Sequence, residues 1–318
     1  LKILVTGAAG FIGSQLCERL LQTGNHHVIG IDGLINEKKI RLRNLTHLIE
    51  YDESRFQFYP INLLQADLNQ LLQDVDVVYH LAGMPGVRSS WGNDFNFYVE
   101  NNILATQKLL EACRGRSLKK FIYISTSSVY GEKKGRVPES SLPQPLSPYG
   151  VSKLTGEYLC KVYYKNEGIP IVILRYFTVY GPRQRPDMAF HRFIRKIMEG
   201  QPVPVYGDGK QTRDFTYISD CVEGTASVLE ADHVIGETIN IGGLERASVL
   251  DILSILKDLT GQPVQTVFAG EPKGEPKHTW ADTRKAKKLL NYQPKVSLKT
   301  GLKHEIADLK LLYKEKVE

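Results

Sequence analysis

The chain has 318 residues, 42% of them hydrophobic, enough for one large core or two coupled ones. No apolar run reaches the roughly 18 residues of a membrane span, and the start, Leu-Lys-Ile-Leu-Val-Thr-Gly, reads as a strand rather than a signal peptide, so a cytoplasmic protein without a membrane partner is expected. The net charge of +6 comes from Lys and Arg scattered among acids, which argues against nucleic acid and suits an anionic small-molecule substrate.

Residues 2–6 read as a short apolar strand, followed by Gly7-Ala8-Ala9-Gly10-Phe11-Ile12-Gly13 and a helical pattern to about Leu21. Glycines at 7, 10 and 13 permit a tight turn, close approach to a pyrophosphate and close packing of helix on strand. The helix N-terminus offers N–H groups to the phosphates. A second strand ends His27-Val28-Ile29-Gly30-Ile31-Asp32. An acid there accepts from the adenosine ribose hydroxyls and repels a 2′-phosphate, so NAD is expected rather than NADP. His26-His27 has no partner at ligand spacing. Cys17, Cys113, Cys160 and Cys221 are too far apart for a metal or redox motif, and no metal site is expected. Cys17 and Cys160 fall inside helical patterns as buried thiols.

The alternation continues. Strands are expected at 56–60 and at 75–80, the latter running into Leu81-Ala82-Gly83; a helix at 97–113; a strand at 120–125; a helix from Pro148; and a strand at 169–175. This predicts an α/β protein with a Rossmann-type, doubly wound parallel sheet. Ligands bind such sheets at the carboxyl ends of the strands. Those ends carry Gly7, Asp32, the 81–83 turn, the 125–128 cluster and residues 176–180.

In Ser147-Pro148-Tyr149-Gly150-Val151-Ser152-Lys153, Ser147 can cap a helix whose first position suits Pro148. Tyr149 and Lys153 then share a helical face. An ammonium beside a phenol favours the phenolate, lowering a pKa that starts near ~10 and giving a proton acceptor usable at neutral pH. After Gly181 the alternation is lost. Helices are expected near 187–199, 248–260 and 283–290, the last with the solvated lysine face 285–288. The division expected is a NAD-binding domain at 1–180 and a smaller α/β substrate domain at 181–318, with parts of 216–262 returning to the first sheet.

At this point the chain resembles the extended short-chain dehydrogenase/reductase family, in its nucleotide-sugar epimerase and dehydratase branch. The marks are the glycine motif, His80-Leu81-Ala82-Gly83, Asn101-Asn102 with Thr106, Ser125-Thr126-Ser127-Ser128-Val129-Tyr130-Gly131, Tyr149 with Lys153, Arg175-Tyr176-Phe177-Thr178-Val179-Tyr180-Gly181-Pro182, and the run 206–215 ending Arg213-Asp214-Phe215. The resemblance implies that Tyr149 accepts a proton, that Lys153 holds the nicotinamide ribose and polarises Tyr149, and that Thr126 bonds the reacting sugar oxygen. It implies NAD contacts from Gly7, Gly10, Phe11, Ile12, Gly13, Asp32, Asn62, Leu63, Leu81, Ala82, Gly83, Asn102, Tyr149, Lys153 and Tyr176. Asn62-Leu63 stands where many relatives carry Asp and a hydrophobic residue for the adenine. Arg213 would contact the diphosphate, and Arg88 lies on a loop that faces the substrate.

Two positions bear on the reaction. Hexose dehydratases of the family carry Asp-Glu after the active-site threonine and glucuronate decarboxylases carry Ser-Glu, whereas this chain has Ser127-Ser128. Thr178, in place of a common Asn, and Arg183-Gln184-Arg185-Pro186-Asp187-Met188-Ala189 resemble the UDP-glucuronate 4-epimerases. That likeness implies that Arg185 grips the sugar carboxylate through two parallel hydrogen bonds, with Ser127, Ser128 and Thr178 as further donors. It implies that 181–318 binds the sugar nucleotide, and C4 epimerisation of a UDP-sugar by a homodimer with tightly held NAD; a decarboxylase and an epimerase of neutral or N-acetylated hexoses are the alternatives.

Overall fold

The computed structural model describes residues 1–34, 38–51, 53–271 and 273–314. Strand β1 (Lys2–Thr6) leads through the glycine turn into α1 (Phe11–Thr23), and β2 (His27–Ile31), α2 (Lys38–Asn44), β3 (Phe56–Tyr59) and α3 (Leu68–Leu71) follow. After β4 (Val77–His80) comes α4 (Phe95–Tyr98), which passes through a wider π-helical turn (Val99–Leu104) into α5 (Ala105–Ala112). Strand β5 (Lys120–Thr126), the long α6 (Pro148–Glu167) and β6 (Ile171–Tyr176) complete the alternation.

The remainder comprises β7 (Thr178–Tyr180), α7 (Ala189–Met198), β8 (Val203–Tyr206), β9 (Thr212–Tyr217), α8 (Ile218–Ala226), β10 (Thr238–Ile241), β11 (Glu245–Ser248), α9 (Val249–Thr260), β12 (Thr266–Ala269), α10 (Arg284–Leu290) and α11 (Leu298–Lys314). Among the described residues, seven strands form one sheet in the order β10-β6-β5-β4-β1-β2-β3, with every pairing parallel. β11, β9 and β7 form a second, mixed sheet, and β12 pairs with β8.

Alternation along the strands builds a core on each face of the large sheet. Ile3, Val5, Val77, Tyr79, Ile122, Val172 and Leu174 enter one cluster. Leu4, Val78, Phe121, Tyr123, Ile171 and Ile173 enter the other. The strand 238–241 crosses back to pair with β6, while Thr178–Tyr180 already pairs with β9 in the second sheet.

The sequence reading named no helix at α2, α3 or α8, and two further differences bear on the site. The expected helix at 97–113 is interrupted by the π turn, where Asn102 is buried. Its amide donates to the Met84 carbonyl at 3.0 Å and accepts from Met84 N at 2.6 Å, so the wide turn aims it at the loop after β4. The second is α11, which the reading passed over although Leu298, Leu302, Ile306 and Leu309 recur at helical spacing and are all buried.

Candidate active site

A cavity of about 680 Å³ opens along the carboxyl ends of the large sheet and runs beneath the second sheet. Gly7, at φ +71°, makes the turn out of β1; a Cβ there would lie 2.9 Å from Ala82 N. A Cβ on Gly13 would lie 2.1 Å from Gly7 O, so only glycine lets α1 approach the turn this closely. The first turn of α1 has no side-chain cap, and Gly10, Phe11, Ile12 and Gly13 line the cavity. Bare N–H groups at such an end suit a pyrophosphate. Asp32, at the end of β2, accepts from Ala9 N at 3.2 Å and Leu34 N at 2.7 Å, which fixes its carboxylate at the cavity wall. These residues fit a dinucleotide.

Thr126 ends β5. Its Oγ1 accepts from Ser128 N at 3.1 Å, which turns Ser127 and Ser128 into the cavity. Ser147 Oγ accepts from Gly150 N at 3.1 Å, with Pro148 in the first turn, and this cap starts α6 so that Tyr149 and Lys153 face the same space. The Tyr149 ring meets Tyr98 edge-on at 6.2 Å. Lys153 Nζ lies 4.3 Å above the Tyr123 ring. One turn on, Glu157 is fully buried and accepts from Arg175 at 2.8 and 2.6 Å.

Burial governs the titration of both residues. It raises the Tyr149 phenol above its ordinary value, while a hydrogen bond with Thr126 and the charge of Arg185 act the other way. It lowers Lys153 to about 8, against the opposing influence of Cys160 and Glu157. The sequence reading expected Lys153 to depress Tyr149. Desolvation outweighs any such help, because both charged forms lose water.

Arg185 enters from the loop after β7. Its Nε and Nη2 each donate to Asp187 at 2.9 Å, a parallel fork on a carboxylate of its own chain. Burial pushes Asp187 up, but the Arg185 hydrogen bond and charge outweigh it and hold the acid low. Nη1 remains for a ligand. At the far end, Arg88 stacks at 3.8 Å over Tyr206 and donates to Glu275 at 2.7 Å. Arg213 reaches the other oxygen of Glu275 at 3.1 Å. Asn62 Oδ1 already accepts from Leu64 N at 2.8 Å, leaving one lone pair for an adenine.

The cavity thus gathers the expected Gly7, Gly10, Phe11, Ile12, Gly13, Asp32, Asn62, Leu63, Leu81, Ala82, Gly83, Arg88, Thr126, Ser127, Ser128, Tyr149, Lys153, Tyr176, Thr178, Arg185 and Arg213. Asn102 does not line it; Asn102 sits behind the wall, joining Met84 to Ser152 Oγ at 2.9 Å. The sequence reading missed Arg41, whose guanidinium lies 3.1 Å from Asp32, and also Tyr206 and Glu275. Arg41 could have been suspected from its place nine residues after the strand-end acid. Glu275 stands alone in a Gly- and Pro-rich stretch and carried no signal. Among the described residues no acidic, histidine or cysteine cluster could hold a metal, and no helix is long and apolar enough to cross a membrane.

A parallel sheet with a glycine turn, a strand-end acid and a Tyr–Lys pair on one helical face defines a class, and the chain belongs to it: residues 3–242 match the NAD dependent epimerase/dehydratase family. Among solved structures it is similar to the UDP-glucuronic acid 4-epimerase of Bacillus cereus in complex with UDP-glucuronic acid and NAD, at 59% identity, TM-score 0.96, covering 98% of this chain and 100% of that one. Among curated proteins it is 59% identical over 315 residues to an uncharacterised UDP-glucose epimerase of Bacillus subtilis, covering 98% and 99% of the two chains. It is 40% identical over 310 residues to the UDP-glucuronate 4-epimerase of Thermodesulfobacterium geofontis, covering 95% and 94%.

Proposed function

We propose that this protein interconverts UDP-glucuronate and UDP-galacturonate by oxidising and re-reducing C4 of the sugar. The observation that carries the reading is the presence of Arg185 in the cavity of Tyr149, near enough for its charge to act on the phenol. The full-length likeness to an enzyme crystallised with UDP-glucuronic acid supports it. Bound NAD supplies the hydride acceptor and donor.

The chain's own residues do the rest. Tyr149 takes the C4 hydroxyl proton, and Thr126 orients that oxygen. Lys153, charged below about 8, favours the phenolate once a ligand excludes water. Arg88 and Arg213 bind the diphosphate in exchange for Glu275. Arg185 holds the sugar carboxylate. A 4-ketouronate is a β-keto acid and loses carbon dioxide when its C5–carboxylate bond aligns with the carbonyl π system; Arg185, steadied by Asp187 on its Nε–Nη2 edge, uses Nη1 to keep it out of alignment. Ser127 and Ser128 bring neither acid nor base for elimination. The small hydroxyls leave room for the ketone to turn over before hydride returns to its other face.

Residues 1–180 form the cofactor part and 181–318 the sugar-nucleotide part in this reading, with 238–241 crossing back. The working unit is a homodimer joined through the exposed faces of α4–α5 and α6. The purified protein should convert UDP-glucuronate to UDP-galacturonate without added NAD, and deuterium at C4 should be retained in the product. UDP-xylose as the product would point to a decarboxylase. Turnover of UDP-glucose in place of the uronate would point to the neutral-hexose epimerase suggested by the B. subtilis relative.

A further inference from the structure

The segment 181–191 carries Arg185 into the cavity, and its backbone is held from α11, which lies outside the residues matched by the family model. Gly301 brings that helix against β7: a Cβ there would lie 2.3 Å from the Tyr180 hydroxyl. One turn on, Glu305 Oε2 accepts from Gly181 N at 3.0 Å. In the next turn Asp308 Oδ2 accepts from Arg183 N at 2.8 Å. Residues 301, 305 and 308 fall on one helical face. Near the end of the helix, the Tyr313 hydroxyl lies 2.8 Å from His191 Nε2. The other ring nitrogen, Nδ1, is 2.8 Å from Gln184 O. A carbonyl can only accept, so Nδ1 carries the hydrogen and Nε2 accepts from Tyr313.

These contacts fall on backbone that needs holding. Gly181 has φ +131° and Arg183, a non-glycine residue, has φ +68°. Glu305 is fully buried with its second oxygen lacking a protein partner, and burial raises it well above the carboxylate range. An accepting oxygen at position 305 is what the contact with Gly181 requires.

We propose that α11 is a positioning element for Arg185, with Glu305, Asp308 and the Tyr313–His191 pair fixing segment 181–191 so that the guanidinium meets the acidic group of the substrate. This rests on the role of Arg185 given above. Loosening the segment weakens recognition of the sugar acid and leaves the diphosphate site at Arg88 and Arg213 untouched.

The experiment compares the full-length protein with Asp308→Ala, Tyr313→Phe, Glu305→Leu and Glu305→Gln. Amide hydrogen exchange in 181–191 should quicken about tenfold in the first three. The KM for UDP-glucuronate should rise about tenfold, with kcat and the dissociation constant of UDP within about twofold of wild type. Glu305→Gln keeps an acceptor for Gly181, so it should behave as wild type. Exchange at the wild-type rate in both Asp308→Ala and Tyr313→Phe overturns the proposal, as does a rise in the UDP dissociation constant that matches the rise in KM. If the wild-type protein does not turn over UDP-glucuronate, the substrate reading fails separately, and the exchange rates alone decide whether α11 holds the segment.

Discussion

Tyr149 and Lys153 show how one physical effect can oppose two residues at once. Each must be charged for proton transfer, and burial disfavours both charged forms. Arg185 is the residue whose loss should alter the outcome of the reaction as well as its rate. In Arg185→Ala the KM for UDP-glucuronate should rise roughly 10- to 100-fold, and the share of UDP-pentose should increase because the carboxylate can reach the aligned orientation. Product analysis by mass spectrometry checks both; unchanged KM and unchanged pentose would remove Arg185 from the site.

His80 lies beneath the same wall and makes a separate prediction about stability. Thr106 Oγ1 donates to Asn102 O at 2.8 Å, so it accepts from His80 Nε2 at 2.9 Å, and Nδ1 accepts from Thr6 at 2.8 Å. The neutral ring is satisfied, and burial, followed by the charge of Lys153, lowers it to about 3. Below its ordinary value of 6.5 the unfolded chain takes a proton that the folded protein refuses until about 3, so stability falls with pH across that window. From pH 7 to pH 5 this one group should cost on the order of 2 kcal/mol. Urea unfolding at the two pH values should show that loss in the wild type and a smaller one in His80→Asn; equal losses would refute it.

Among the elements, α6 was the most legible. Its Ser-Pro start, its polar face toward the site and its Gly168 stop at φ +69° all follow local rules. Its other face was ambiguous in sequence, because core packing and subunit contact use the same apolar spacing. The structure leaves Val151, Tyr158 and Val162 exposed at 46, 56 and 54%, and Phe97 and Leu104 exposed on the neighbouring helical run. Spacings of seven and four place 151, 158 and 162 in one stripe. Val162→Glu should therefore convert a dimer to a monomer in light-scattering chromatography while leaving far-ultraviolet circular dichroism unchanged. A wild type that is already monomeric would refute the homodimer. The π turn before α5 could not have been read from sequence, because the contact it accompanies, Asn102 to Met84, joins positions 18 apart.

Across the whole molecule, the sequence by itself determined the doubly wound sheet, the dinucleotide turn and the residues that the strand ends and the start of α6 bring to the cavity. Strand alternation, glycine sterics and helix capping act over a few residues and leave marks in the chain. The tertiary structure alone decided that burial, not the Lys153 charge, dominates Tyr149, that Asn102 stands behind the wall, and that Glu275 closes Arg88 onto Arg213. It also decided that a helix at 298–314 grips the backbone of 181–191. Desolvation and long-range pairing depend on what surrounds a group in space, and no local pattern records those surroundings.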